Sequence, residues 1–79
     1  MVLEGDVVRK RIHIGSKSEH DAAMLVTSEG EFKLRVQGGN PFLDPEVDAL
    51  VGKRIRGEGI MSARQFIMER YEVLEDRAG

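Results

Sequence analysis

Glu31-Phe32-Lys33-Leu34-Arg35-Val36-Gln37-Gly38-Gly39-Asn40-Pro41-Phe42-Leu43-Asp44-Pro45-Glu46-Val47-Asp48-Ala49-Leu50-Val51-Gly52-Lys53 is the stretch that decides the fold. Its first seven residues alternate. Phe32, Leu34 and Val36 face inward and Glu31, Lys33, Arg35 and Gln37 face out, as in a half-buried strand. Gly38-Gly39-Asn40-Pro41 breaks that strand, with Asn40-Pro41 read as a turn and Phe42 and Leu43 as anchors that hold a helix onto the barrel. Asp44 then has the character of a helix N-cap and Pro45 of the first helical position, where a missing N–H is harmless. Val47, Leu50 and Val51 give a short apolar stripe, and Gly52 can end the helix in a left-handed conformation. A short helix between two strands is the resulting expectation.

Working outward, Lys53 to Met61 reads as the fourth strand, with Gly57 and Gly59 suggesting strong coiling, and Gln65 to Leu74 as the fifth. Phe66, Met68 and Tyr71 have the spacing of its inward side, and the last five residues read as frayed. Towards the N-terminus, Ser28-Glu29-Gly30 is a tight turn and Ala22 to Thr27 the second strand. Gly15 to Asp21 is polar and reads as a loop. The first strand, about Leu3 to Ile14, carries Leu3, Gly5 and Val7 in one parity and Val8, Ile12 and Ile14 in the other. A bulge or sharp coil at Gly5 would produce that switch.

The register of the central hairpin has two readings. A two-residue turn at Glu29-Gly30 points Met24 and Val26 outward, whereas a three-residue turn with Gly30 left-handed points Ala23, Leu25 and Thr27 outward. The second is preferred, because a primed two-residue turn forces Glu29 into positive φ. On either reading, Ala22 to Val26 presents apolar side chains to both faces.

The order strand, strand, strand, short helix, strand, strand resembles the oligonucleotide/oligosaccharide-binding (OB) fold. The chain is expected to be mainly β, a single five-stranded OB-like barrel over residues 1–79 with a short helix between strands 3 and 4. That helix favours it over an SH3-like barrel. Leu50 to Ile60 and Phe66 to Leu74 are similar to the fourth and fifth strands of nucleic-acid-binding OB domains, such as the anticodon-binding domains of some aminoacyl-tRNA synthetases. The resemblance implies binding on the outer face of strands two and three, flanked by the loops after strands one and four. The stacking aromatics usual on that face are missing here.

Composition limits the function classes. The 79 residues suffice for one domain, and 41% hydrophobic content suffices for a core. With no cysteine, disulfides and thiolate metal sites are ruled out. Twelve basic residues against fourteen acidic give a net charge of −2, with no basic tail of the kind that drives nonspecific nucleic-acid binding. Neither a signal peptide nor a membrane span is evident, so the expectation is a cytoplasmic protein with no membrane partner.

The candidate nucleic-acid contacts are Arg9, Arg11, Lys17, His20, Lys33, Arg35 and Arg64, which would meet phosphates electrostatically. Arg9 and Arg11 share a strand face and Lys10 takes the other. His20 sits between Glu19 and Asp21, but a metal site needs three or four convergent ligands and only His13 offers another imidazole. Ser18, His20 and Asp21 are too close in one loop to align as nucleophile, base and orienter. The glycines of Gln37 to Phe42 lack the lysine and hydroxyl of a phosphate-binding loop. No catalytic residue, metal or cofactor is expected. The function expected is a non-catalytic binding module for single-stranded DNA or RNA. The alternative is a protein-interaction or homodimerising module using the apolar side of strand two.

Overall fold

The computed structural model describes residues 1–12, 14–17, 19–39 and 44–76. Its elements are β1 (Val2–Ile12), β2 (His20–Thr27), β3 (Gly30–Val36), α1 (Pro45–Asp48), β4 (Lys53–Ser62) and β5 (Gln65–Asp76). The strands lie in the order β1-β2-β3-β5-β4, and β4 returns to β1, so one sheet closes into a ring. All pairings are antiparallel except β3 with β5. The architecture is mainly β, five strands with one short helix between the third and fourth, and is compatible with an OB-like arrangement. Among the described residues no helix is long and apolar enough to cross a membrane.

The ring is filled by the inward parity of each strand. Val7, Leu25, Ile55, Phe66 and Met68 are fully enclosed, and Leu3, Ala23 and Leu34 join them. From α1 and the turn after it, Val47 and Leu50 enter the same core. Asp44 caps α1 by accepting a hydrogen bond from the Glu46 N–H at 3.0 Å. Gly52, at φ +89, then turns the chain so that its N–H reaches the Val7 carbonyl at 2.8 Å. The helix is one turn, shorter than the apolar stripe to Val51 suggests, because that carbonyl of β1 takes over the chain directly. Asp44→Ala should cost about 1 kcal/mol, lowering the melting temperature by roughly 4–8 °C, with Asp44→Asn close to the native value. Equal loss in both variants would show that the cap is not the source.

Other boundaries and registers also differ from expectation. β1 stops at Ile12, and Ile14 is 78% exposed in the following turn. β1 has no bulge: its register is constant against both neighbours, with β4 pairing through Asp6 and β2 from Asp6 onward. Gly5 permits the coil instead, since a Cβ there would lie 2.8 Å from the Val26 carbonyl carbon and nearer still to its oxygen. The irregularities fall in β5, where the register shifts leave Glu69 and Leu74 as extra residues against β4. The first shift explains why the inward series runs Phe66, Met68 and then Tyr71. β5 also continues through Glu75 and Asp76 rather than fraying there.

The preferred hairpin register is overturned. Thr27 pairs with Gly30 and Leu25 with Phe32, so the loop is Ser28-Glu29, Leu25 is buried and Met24 and Val26 face outward half-buried. Neither loop residue takes positive φ; the demand falls one position later, on Gly30 at +135°. The Thr27 hydroxyl accepts from the Glu29 N–H and donates to the Gly30 carbonyl, holding the turn closed. β2 therefore exposes no apolar inner side, since Ala23 and Leu25 are buried there, and Ala22 is covered on the outer side. The expected turn at Asn40-Pro41 and the anchors Phe42 and Leu43 lie outside the described residues.

Candidate functional site

The seven cationic and imidazole candidates do not form one surface. Arg9 and Arg11 have the parity of Leu3, Gly5 and Val7, so they leave the sheet on its inner side, at the end where α1 sits. Lys33 and Arg35 belong to the outer side, where a cross-strand row runs Val8, Met24, Lys33, Gln65. In the next row Arg35 stands beside Ile67, and Ile67 beside Ile60. Arg64 joins this group through the backbone, because its carbonyl accepts from the Lys33 N–H at 3.3 Å. It occupies the two-residue turn between β4 and β5, where Ala63 (φ 50°) and Arg64 (φ 64°) are both left-handed without being glycine. That conformation costs roughly 1–2 kcal/mol per residue, yet its twist suits a hairpin. Lys17 is exposed in the β1–β2 loop. His20 opens β2 and lines a gap with Lys33 and Arg35.

Charge pairing divides the candidates again. Arg9 is bound to Asp48 at 3.2 Å, and Arg11 to Glu19 at 2.6 Å and Asp21 at 3.3 Å. The Gly15 N–H first, and Arg11 second, hold the Glu19 carboxyl below its ordinary range. Glu19 and then Asp21 raise the Arg11 guanidinium in return. Lys10 pairs with Glu31 across the outer face, Arg54 with Glu4 and Asp6, Arg56 with Glu72 and Arg70 with Glu58. Among the described residues, Lys17, Lys33, Arg35, Lys53 and Arg64 have no carboxylate partner. Three of those five lie on or beside the β3–β5 seam: Lys33 and Arg35 on β3, and Arg64 in the turn that precedes β5. Arg35 donates from Nη1 to Gln65 Oε1 at 3.4 Å, while its Nε is buried without an acceptor.

Gln65 is the seam residue that sequence reading misses. Its place opposite Lys33 depends on the parallel β3–β5 pairing, which local patterning does not signal. Met24 and Val8 add half-buried aliphatic surface beside the cations. No aromatic residue lies on this row, which offers aliphatic surface and no stacking platform. Among the described residues no group of three or more histidines and carboxylates is placed to hold a metal ion. His13 and Ser18, invoked in the metal and triad readings, lie outside the described residues. Comparison with protein-family models, curated proteins and solved structures gave no match.

Proposed function

We propose that this chain is a non-catalytic, OB-like binding module whose ligand is a single-stranded nucleic acid, held along the β3–β5 seam. The observation that carries this reading is the placing of Lys33 and Arg35 on the β3–β5 seam with Arg64 in the adjoining turn, three cations without carboxylate partners among the described residues. An extended strand of regularly spaced phosphates suits a row of separated cations better than a compact ligand does. The remaining cations of the outer face are neutralised, which keeps the footprint small and the affinity modest. Fluorescence-anisotropy titration of labelled single-stranded DNA and RNA tests it. Three phosphate contacts should give a slope of roughly −2 in log affinity against log salt. A flat slope, or no binding at low salt, would sink the reading.

A second reading keeps the protein-interaction class but moves it from strand two. Met24 and Val26 are only half-exposed, whereas Val2 is 58% and Ile60 56% exposed on the outer face where β1 meets β4. Ile67 lies across from Ile60 and extends this aliphatic patch. Self-association there would raise the solution mass and persist at high salt, because burial of aliphatic surface is not screened.

A further inference from the structure

The ladder between β2 and β3 stops early. It holds only from Met24–Lys33 to Thr27–Gly30, although β2 runs back to His20 along β1 and β3 runs on to Val36 along β5. The two strands therefore part, and a gap opens between His20–Ala23 and Lys33–Arg35. It is closed behind by Asp44, Val47 and Asp48 around α1. Its volume is about 50 Å³. That is room for a few water molecules or one small oxyanion, but not for a base or a sugar ring.

The charges around this gap are unevenly engaged. Each carboxylate lining it has a donor: Asp21 has Arg11 at 3.3 Å, Asp48 has Arg9 at 3.2 Å, and Asp44 has the Glu46 N–H at 3.0 Å. Both cations lining it lack a carboxylate among the described residues, and Arg35 Nε lacks any acceptor. Arg11 and Arg9 thus offset Asp21 and Asp48, while Asp44 keeps its charge as the cap of α1, so Lys33 and Arg35 face one remaining carboxylate.

We propose that this gap is a subsite for one phosphate group, held by Arg35 and Lys33, with Asp21 and Asp48, offset by Arg11 and Arg9, and the capping Asp44 in its walls. The guanidinium supplies planar, paired N–H donors suited to an oxyanion, and the ammonium a second point charge. The phosphate can be a free phosphate ligand or one unit of a nucleic-acid backbone. The subsite stands whether or not the seam takes a strand, and its test needs no nucleic acid.

Orthophosphate titrated into the native chain, followed by ³¹P NMR and by thermal unfolding at constant ionic strength, should show saturable binding and a rising melting temperature. Arg35→Gln should weaken phosphate at least 10-fold and Lys33→Gln several-fold, while Lys53→Gln, which removes the same charge outside the gap, leaves it unchanged. Should Arg35→Gln fold poorly, Lys33→Gln with the native chain's melting shift carries the same decision. No saturable binding by the native chain overturns the subsite, as does equal binding by the Lys33 and Arg35 variants. Displacement of phosphate by an oligonucleotide would assign the gap to a strand phosphate, and simultaneous binding to a free phosphate ligand; both support the subsite.

Discussion

Gly59→Ala is expected to lower the melting temperature by on the order of 15 °C. Gly59 has no need of left-handed backbone, so the effect is steric. A Cβ there would stand 2.8 Å from both the Ile67 carbonyl carbon and Met68 Cα, and closer to the Ile67 oxygen. Those atoms are backbone and cannot rotate away. They lie where β5 shifts register past Glu69, so relief requires the β4–β5 pairing to open at its bulge. The same residue exchanges two hydrogen bonds with Met1: its N–H donates to the Met1 carbonyl at 2.9 Å, and its carbonyl accepts from the Met1 amine at 2.8 Å. Opening one side strains the other. Overpacking of this kind costs about 3 kcal/mol. A domain of this length holds only about 4–12 kcal/mol in all.

The comparison that isolates the cause is Gly15→Ala. Gly15 sits at φ +84 with nothing within 4 Å of the point where a Cβ would stand, so alanine there carries only the left-handed penalty, roughly 1–2 kcal/mol. Thermal unfolding by circular dichroism should rank Gly59→Ala well below Gly15→Ala. Equal melting temperatures would mean that the strands separate freely at the bulge and that close approach does not maintain the ring.

How much of this is legible in the sequence depends on the range of the interaction. The alternation from Glu31 to Val36, the cap at Asp44-Pro45 and the turn at Gly52 are local, and each stands where the residue pattern puts it. The break at Glu69-Arg70 shows in the sequence as lost alternation and in the structure as a bulge. The β2–β3 register is misread when positive φ is assigned to a loop residue, because Gly30 just after the loop carries it. The site is less legible than the fold. Arg9 and Asp48 are 39 residues apart and Lys10 and Glu31 are 21 apart, so their mutual neutralisation exists only in the folded chain. Equal cationic residue types therefore look equivalent in sequence, although only some retain charge that a ligand can use.

That difference gives the largest expected effect on binding. Lys33→Glu with Arg35→Glu should reduce single-strand affinity on the order of 100-fold at low salt, because two attractive contacts become repulsive while Arg64 alone remains. Arg9→Glu with Arg11→Glu changes the formal charge by the same amount, yet should weaken affinity far less. Its effect is indirect, through Asp21 and Asp48, which line the gap and lose the partners that offset them. Those side chains leave the opposite side of the sheet and already carry Asp48, Glu19 and Asp21. Their reversal should instead cost stability, since three carboxylates would face new negative charge. Net charge is thus matched between the two variants and position is not. If nonspecific attraction by total charge governs binding, the two doubles weaken it alike. If the seam governs it, the Lys33/Arg35 double weakens it far more, and its salt slope flattens from roughly −2 to roughly −0.7 as two of three phosphate contacts are lost. Equal losses in the two variants would remove Lys33, Arg35 and Arg64 as a site, even with oligonucleotide binding intact in the native chain.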